Sequence, residues 1–120
     1  MVIDDSRAMR MILSRILRGA GYQVIEAGDG AAALAAIDTA PEVPVLALID
    51  WNMPVMNGLE FVQAVRARGD LRQMTLMMVT TESEHSQIVR ALAAGAHEYV
   101  LKPFTPEAIT DKLSLLGLAA

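Results

Sequence analysis

Apolar residues fall along this chain in short runs separated by stretches that repeat every three and four positions. The runs at 1–3, 23–27, 45–49, 75–79 and 99–101 are each too short for a buried helix and read as strands. Between them, 7–18, 31–39, 59–68, 86–94 and 106–116 read as amphipathic helices, with Ile12, Leu13, Ile16 and Leu17 tracing the apolar stripe of the first. Punctuation agrees with this division. Ser6 is placed to cap the first helix, Gly19 and Gly21 to end it, Asp29-Gly30 to open the second and Gly95 to close the fourth. Five strands alternating with five helices predict an α/β fold of the doubly wound (βα)5 kind, a parallel sheet covered on both faces. No internal repeat or linker interrupts the alternation.

Length and composition narrow the picture. A chain of 120 residues is one domain, here expected to span 1–120. The residues are 53% hydrophobic but only 4% aromatic, so the core must be aliphatic, with eight methionines filling irregular gaps; Met53, Met56, Met77 and Met78 are read as packing. A net charge of −4 without a basic run offers no footprint for direct nucleic acid binding or for an anionic membrane. Absence of cysteine excludes disulfides and thiolate metal sites, and no apolar stretch reaches membrane-spanning length, so a cytoplasmic location is expected. The first run holds three apolar residues before Asp4, whereas strands usually run about five or six. The first strand is therefore expected to be truncated, with several residues preceding Met1 in the natural chain.

The chemistry gathers at the strand ends. In an open parallel sheet ligands bind at the carboxyl edge, where strand order reverses. There the first strand ends in Asp4-Asp5, the third in Asp50, the fourth in Thr80 and the fifth in Lys102, followed by Pro103. Singly, each has an ordinary use as a turn, a strand end or a solvated charge. Together, three carboxylates at one edge resist joint ionisation without a cation. Oxygen ligands without histidine or thiolate select Mg²⁺, with Mn²⁺ or Ca²⁺ as alternatives, and few protein ligands beside a phosphate favour Mg²⁺. A carboxylate beside a divalent ion, a lysine and a hydroxyl is equipped to attack phosphorus and to have the resulting acyl phosphate stabilised. Acidic Asp4 and Asp5 would repel the phosphate of a flavodoxin-type cofactor. A haloacid-dehalogenase-type phosphatase needs a second Asp two residues after its nucleophile, where this chain has Asn52.

These residues, with Asp4-Asp5-Ser6, Asp50-Trp51-Asn52-Met53-Pro54, Asn57-Gly58, Val79-Thr80, Ala94-Gly95-Ala96 and Tyr99-Val100-Leu101-Lys102-Pro103-Phe104, resemble the response-regulator receiver family over essentially the whole chain, and most closely its CheY-like chemotaxis branch. The resemblance implies a five-stranded sheet in the order 2-1-3-4-5 and a phosphorylation switch of a two-component system. Asp50 would be the phosphoacceptor, charged by a sensor histidine kinase or a small acyl phosphate. Asp5 and Asp50 would bind Mg²⁺ directly, Asn52 through its backbone carbonyl and Asp4 through water. Lys102 would contact the phosphoryl oxygens beside a cis Lys102–Pro103 bond. Thr80 and Tyr99 would form the switch that the added charge biases, read out by a protein target on the fourth helix, fifth strand and fifth helix.

Further implications concern lifetime and output. Asn52 and Glu82 match the pairing of fast-dephosphorylating relatives, whereas Thr81 is bulkier than the small residue common beside the switch threonine. Ser83-Glu84-His85 is acidic to neutral where enteric chemotaxis regulators are lysine-rich, so their motor partner does not carry over. Trp51, the sole tryptophan, is a natural reporter, and His85 and His97 are read as surface residues. The leading expectation is a stand-alone switch, monomeric or transiently dimeric, that promotes its own phosphorylation and hydrolysis without being a conventional enzyme. The alternatives are a receiver cut from a longer regulator with a DNA-binding or enzymatic output, for which Ala120 directly after the last helix pattern is the relevant point, and a pseudo-receiver that binds without phosphorylation.

Overall fold

The computed structural model describes residues 1–81 and 85–118, together with the backbone but not the side chain of His85. Glu82, Ser83, Glu84, the His85 side chain and Ala120, on which some expectations of lifetime, output and chain end rest, lie outside the described residues. Strands β1 (Val2–Ile3), β2 (Glu26–Ala27), β3 (Leu46–Asp50), β4 (Thr75–Thr81) and β5 (Glu98–Lys102) alternate with helices α1 (Arg7–Gly19), α2 (Gly30–Thr39), α3 (Gly58–Arg66), α4 (His85–Ala94) and α5 (Pro106–Leu115). All pairings are parallel, in the order β2-β1-β3-β4-β5. The expected doubly wound sheet is thus present, with a 3-10 turn at Gly69–Leu71 added between α3 and β4.

The outer strand β2 is shorter than its apolar pattern predicts. Only Glu26 and Ala27 enter the ladder, because their partner β1 runs only from Val2 to Ile3; Ile25 still accepts a hydrogen bond from the Val2 N–H. In the other direction β4 extends past Val79 through Thr80 and Thr81, since β-branched threonine suits a strand whatever its polarity. The central strands are buried on both faces: every residue of β3 is buried, and so is every residue of β4 from Leu76 to Thr80. Two apolar layers result. Ile3, Ile49, Met78 and Leu76 pack with Phe61, Val62 and Val65 of α3, while Val2, Leu48, Met77 and Val79 pack with Leu13 and Leu17 of α1 and Ile109 and Leu113 of α5.

Helix starts are fixed by side-chain caps. Ser6 accepts from the Met9 N–H, Asp29 from Ala32 and Thr105 from Ala108. Asn57 and Glu60 form a reciprocal capping box at the start of α3. Gly95 ends α4 at φ +124°, a conformation that a side chain would strain, and Arg66 packs where its Cβ would be.

At the edge opposite the carboxyl ends of the strands, Arg66 ties three segments together. Its guanidinium donates to the carbonyls of Gly95 at 3.0 Å, Met74 at 2.8 Å and Arg72 at 3.3 Å. His97 is exposed, as expected, but it is also engaged: Nδ1 accepts the Leu76 N–H at 3.1 Å and lies 3.3 Å from Arg66. The sequence held no local sign of this clamp.

Candidate functional site

The first, third and fifth strands deliver their last residues to one edge. Asp4 follows β1 and is fully buried; Asp50 ends β3 and is 6% exposed; Asp5 lies beside them and is exposed. One carboxylate oxygen from each of Asp4, Asp5 and Asp50 lies within 4.8 Å of the others. Lys102, the last residue of β5, reaches over them: Nζ donates to Asp50 Oδ1 at 3.1 Å and to Asp4 Oδ2 at 3.4 Å. The other oxygen of Asp4, Oδ1, accepts the Ser6 N–H at 2.8 Å. Among the described residues this is the cluster whose donors can hold a metal ion.

Charge balance explains what such a site can do. Burial first, and then the neighbouring Asp4, push the Asp50 carboxyl up to about 6, against the opposing pull of Lys102. Burial lowers the Lys102 ammonium, but Asp50 and Asp4 outweigh it and leave the lysine raised overall. Three acids against one ammonium leave excess negative charge, and a small hard cation fits that donor set of carboxylate oxygens. Among the described residues no nitrogen or sulfur ligand belongs to the cluster.

The surrounding loop is fixed by close backbone approach. Gly58 donates its N–H to the Trp51 carbonyl at 2.9 Å, and Met56 accepts from Gly30 at 3.1 Å, so the segment after β3 is held to the starts of α3 and α2. Val55 takes φ 66° within it, a left-handed conformation uncommon for a β-branched residue. Trp51 is buried next to Asp50 and Asn52 is exposed beside the acids. Thr80 is buried in β4 between the partners of Asp50 and Lys102: Val79 pairs with Asp50, and Thr81 with Lys102. The Lys102–Pro103 peptide is cis.

Tyr99 stands apart from the acids, half-buried on β5. Lys112 of α5 lies 5.2 Å from its ring centroid and 3.2 Å from Glu98 Oε1, which also accepts the Tyr99 N–H. The structure therefore brings Asp4, Asp5, Asp50 and Lys102 into one cluster, with Thr80 and Asn52 on the same edge and Tyr99 on the face of β5 and α5. Two contributors went unread in the sequence: Lys112, and Arg10, whose Nη1 donates to the Asp4 carbonyl at 2.7 Å. The helical spacing from Ser6 to Arg10 was the available signal for the second.

Comparison with known proteins bears on this geometry. A sequence model described as the response regulator receiver domain matches residues 1–114. The chain is 40% identical to the chemotaxis protein CheY1 of Helicobacter pylori over 117 residues, covering 97% of this chain and 94% of that protein. Its backbone matches chemotaxis protein CheY4 of Vibrio cholerae with a TM-score of 0.85 at 38% identity, over 95% of this chain and 93% of that one. It also matches a probable two-component response regulator/GGDEF domain protein with a TM-score of 0.87 at 31% identity, over 98% of this chain but 48% of that longer one.

Proposed function

The chain belongs to the response regulator receiver domain family, of the CheY type, and on that premise we propose that it is a phosphorylation switch in which Asp50 accepts a phosphoryl group and thereby changes the partner the domain binds. The observation that carries this reading is the setting of Asp50: a buried carboxylate at a strand end, crowded by Asp4 and Asp5 and bonded to Lys102 at 3.1 Å.

An Asp50 carboxylate oxygen attacks the phosphorus of a phosphohistidine or a small acyl phosphate. A P–O bond forms, the P–N or P–O bond to the donor breaks, and the leaving group keeps the electron pair. Lys102 offers the new phosphoryl oxygens a charge-assisted donor in place of the aspartate contacts it makes here. Asp5, Asp50, the Asn52 carbonyl and, through water, Asp4 would hold Mg²⁺, or Mn²⁺, which neutralises charge on the phosphoryl oxygens. Hydrolysis of the same acyl phosphate resets the switch, at a rate tuned by the residue identities at Asn52, Thr81 and Glu82. Such a protein acts on itself rather than turning over a separate substrate.

Read-out runs from Thr80 to Tyr99. The added dianion favours a state in which the Thr80 hydroxyl approaches it, and Tyr99 moves into the space released. The partner surface is α4-β5-α5, where Val89 and Leu92 of α4 and Leu101 of β5 are exposed apolar residues and Leu101 lines the same hollow as Tyr99 and Lys112. A sensor histidine kinase is the phosphodonor, and a chemotaxis component is the output partner that kinship with the CheY proteins favours. Likeness to a receiver occupying about half of a GGDEF-containing regulator favours a second reading, in which the same switch drives an attached or associated output domain.

Incubation with Mg²⁺ and acetyl phosphate tests the chemistry. Intact mass should rise by one phosphoryl group, with a change in Trp51 fluorescence, and neither should occur in Asp50→Asn. A folded wild-type protein that gains no mass would overturn the reading.

A further inference from the structure

Arg10 lies one turn inside α1, and its side chain runs back toward the helix start, as long helical side chains do. Nη1 donates to the Asp4 carbonyl oxygen at 2.7 Å, and Nε is 3.5 Å from Glu26 Oε1 on β2. Beyond β2, Gly28 lies beside the guanidinium: a Cβ there would sit at ordinary contact distance, 3.7 Å, from Nη1. Arg10 thus spans from the first helix across the end of β1 to the end of β2.

The oxygen it holds belongs to the peptide that joins Asp4 to Asp5. That peptide is planar, so fixing its oxygen fixes the plane and the direction in which the chain enters Asp5. Asp4 has other restraints, from the Ser6 N–H and Lys102. Asp5 differs: its side chain is exposed, and among the described residues no hydrogen bond reaches its carboxylate. The aim of the Asp5 carboxylate is inherited from the backbone that Arg10 pins.

We infer that Arg10 is a positioning residue for divalent-cation binding, holding the Asp4–Asp5 peptide so that the Asp5 carboxylate faces Asp4 and Asp50. The inference rests on the proposed reading of the acidic cluster as a Mg²⁺ site. Charge and geometry predict opposite results on removing Arg10. Loss of a nearby cation alone would make the site more negative and tighten Mg²⁺ binding; loss of the backbone anchor weakens it, by about tenfold on the scale typical of groups that orient metal ligands.

Calorimetric titration with Mg²⁺, at fixed pH and salt, distinguishes them in Arg10→Gln, Arg10→Lys and Glu26→Gln, with urea unfolding run in parallel. Arg10→Gln should bind Mg²⁺ about tenfold more weakly, Arg10→Lys should recover part of that loss through its ammonium, and Glu26→Gln, which takes the charge from the guanidinium's second anchor, should show a smaller loss. None of these changes should track the urea midpoint. Unchanged or tighter binding in Arg10→Gln overturns the inference; if that variant does not fold, unweakened binding in Glu26→Gln does so. Failure of the wild-type chain to bind Mg²⁺ would instead remove the metal site on which the inference depends.

Discussion

Gly58 lies so close over Asp50 that a side chain cannot fit between them. A Cβ at position 58 would lie 2.5 Å from the Asp50 carbonyl oxygen, 2.9 Å from Met78 Cε and 3.1 Å from Trp51 Cα. Two of these neighbours are backbone, which cannot swing aside as a flexible side chain can. The start of α3 is therefore seated directly on the strand end that carries the central carboxylate.

Gly58→Ala should accordingly act on the site as well as on the fold. Overpacking of this kind costs about 1–3 kcal/mol, readable as a lower urea midpoint. Phosphorylation by acetyl phosphate should slow further than the stability loss alone explains, because the Asp50 backbone has to move. Normal phosphorylation at normal stability would show that the contact is readily relieved.

Asp50→Asn should stabilise the metal-free protein. Burial and Asp4 raise this carboxyl to about 6 in the folded state, so the folded chain disfavours its ionised form. The sign follows: Asp50 adds no penalty below the ordinary carboxylate range near 4, and its cost grows as pH rises through about 6. At pH 8 the asparagine variant should be more stable by on the order of 2 kcal/mol, with the difference vanishing near pH 4. Saturating Mg²⁺ should narrow or reverse the gap at pH 8, because the ion stabilises the carboxylate form. Urea titrations at the two pH values, with and without Mg²⁺, provide the measurement.

Lys102→Ala removes the ammonium that bonds to both Asp50 and Asp4. Mg²⁺ should bind at least as tightly as in wild type, since a competing cation has gone. The phosphorylated domain, in contrast, should show a reduced Trp51 response and weaker partner affinity, because the group that senses the phosphoryl oxygens is missing. Equal responses of variant and wild type to a phosphoryl analogue would count against that role.

His97 predicts a separate acid sensitivity at the other edge of the sheet. Its Nδ1 accepts the Leu76 N–H, and burial, then Arg66, lower its pKa. The folded chain thus binds fewer protons here than the unfolded one. Stability is intact above the usual imidazole range near 6.5 and falls as pH drops through it. His97→Asn, which keeps an acceptor without a titrating ring, should lose less stability than wild type between pH 7 and 5. Parallel acid limbs in urea unfolding would mean that the clamp tolerates protonation.

Periodicity made the alternation of strands and helices legible, because each element carries its own burial pattern. It erred where burial depends on a partner: residues 23–25 look like strand, but β1 runs only from Val2 to Ile3 and reaches no further than the Ile25 carbonyl, and Thr80 and Thr81 look like an ending but continue β4. Strand order came from the family resemblance rather than from the pattern. Asp4, Asp5, Asp50 and Lys102 could be read together because parallel topology sends strand ends to one edge. Arg10, Arg66 and Lys112 could not, since each acts on backbone or rings brought near only by folding.

The Lys102–Asp4 contact joins residues 98 positions apart. Chain closure over that distance is entropically costly and is completed only when the last strand docks. A chain emerging in order from its N-terminus presents all three acids long before their ammonium arrives. Once β1 and β3 have paired, ion binding before the last strand docks and ion binding to the finished domain are chemically different events: the first meets three clustered acids without their ammonium, the second a site already partly neutralised.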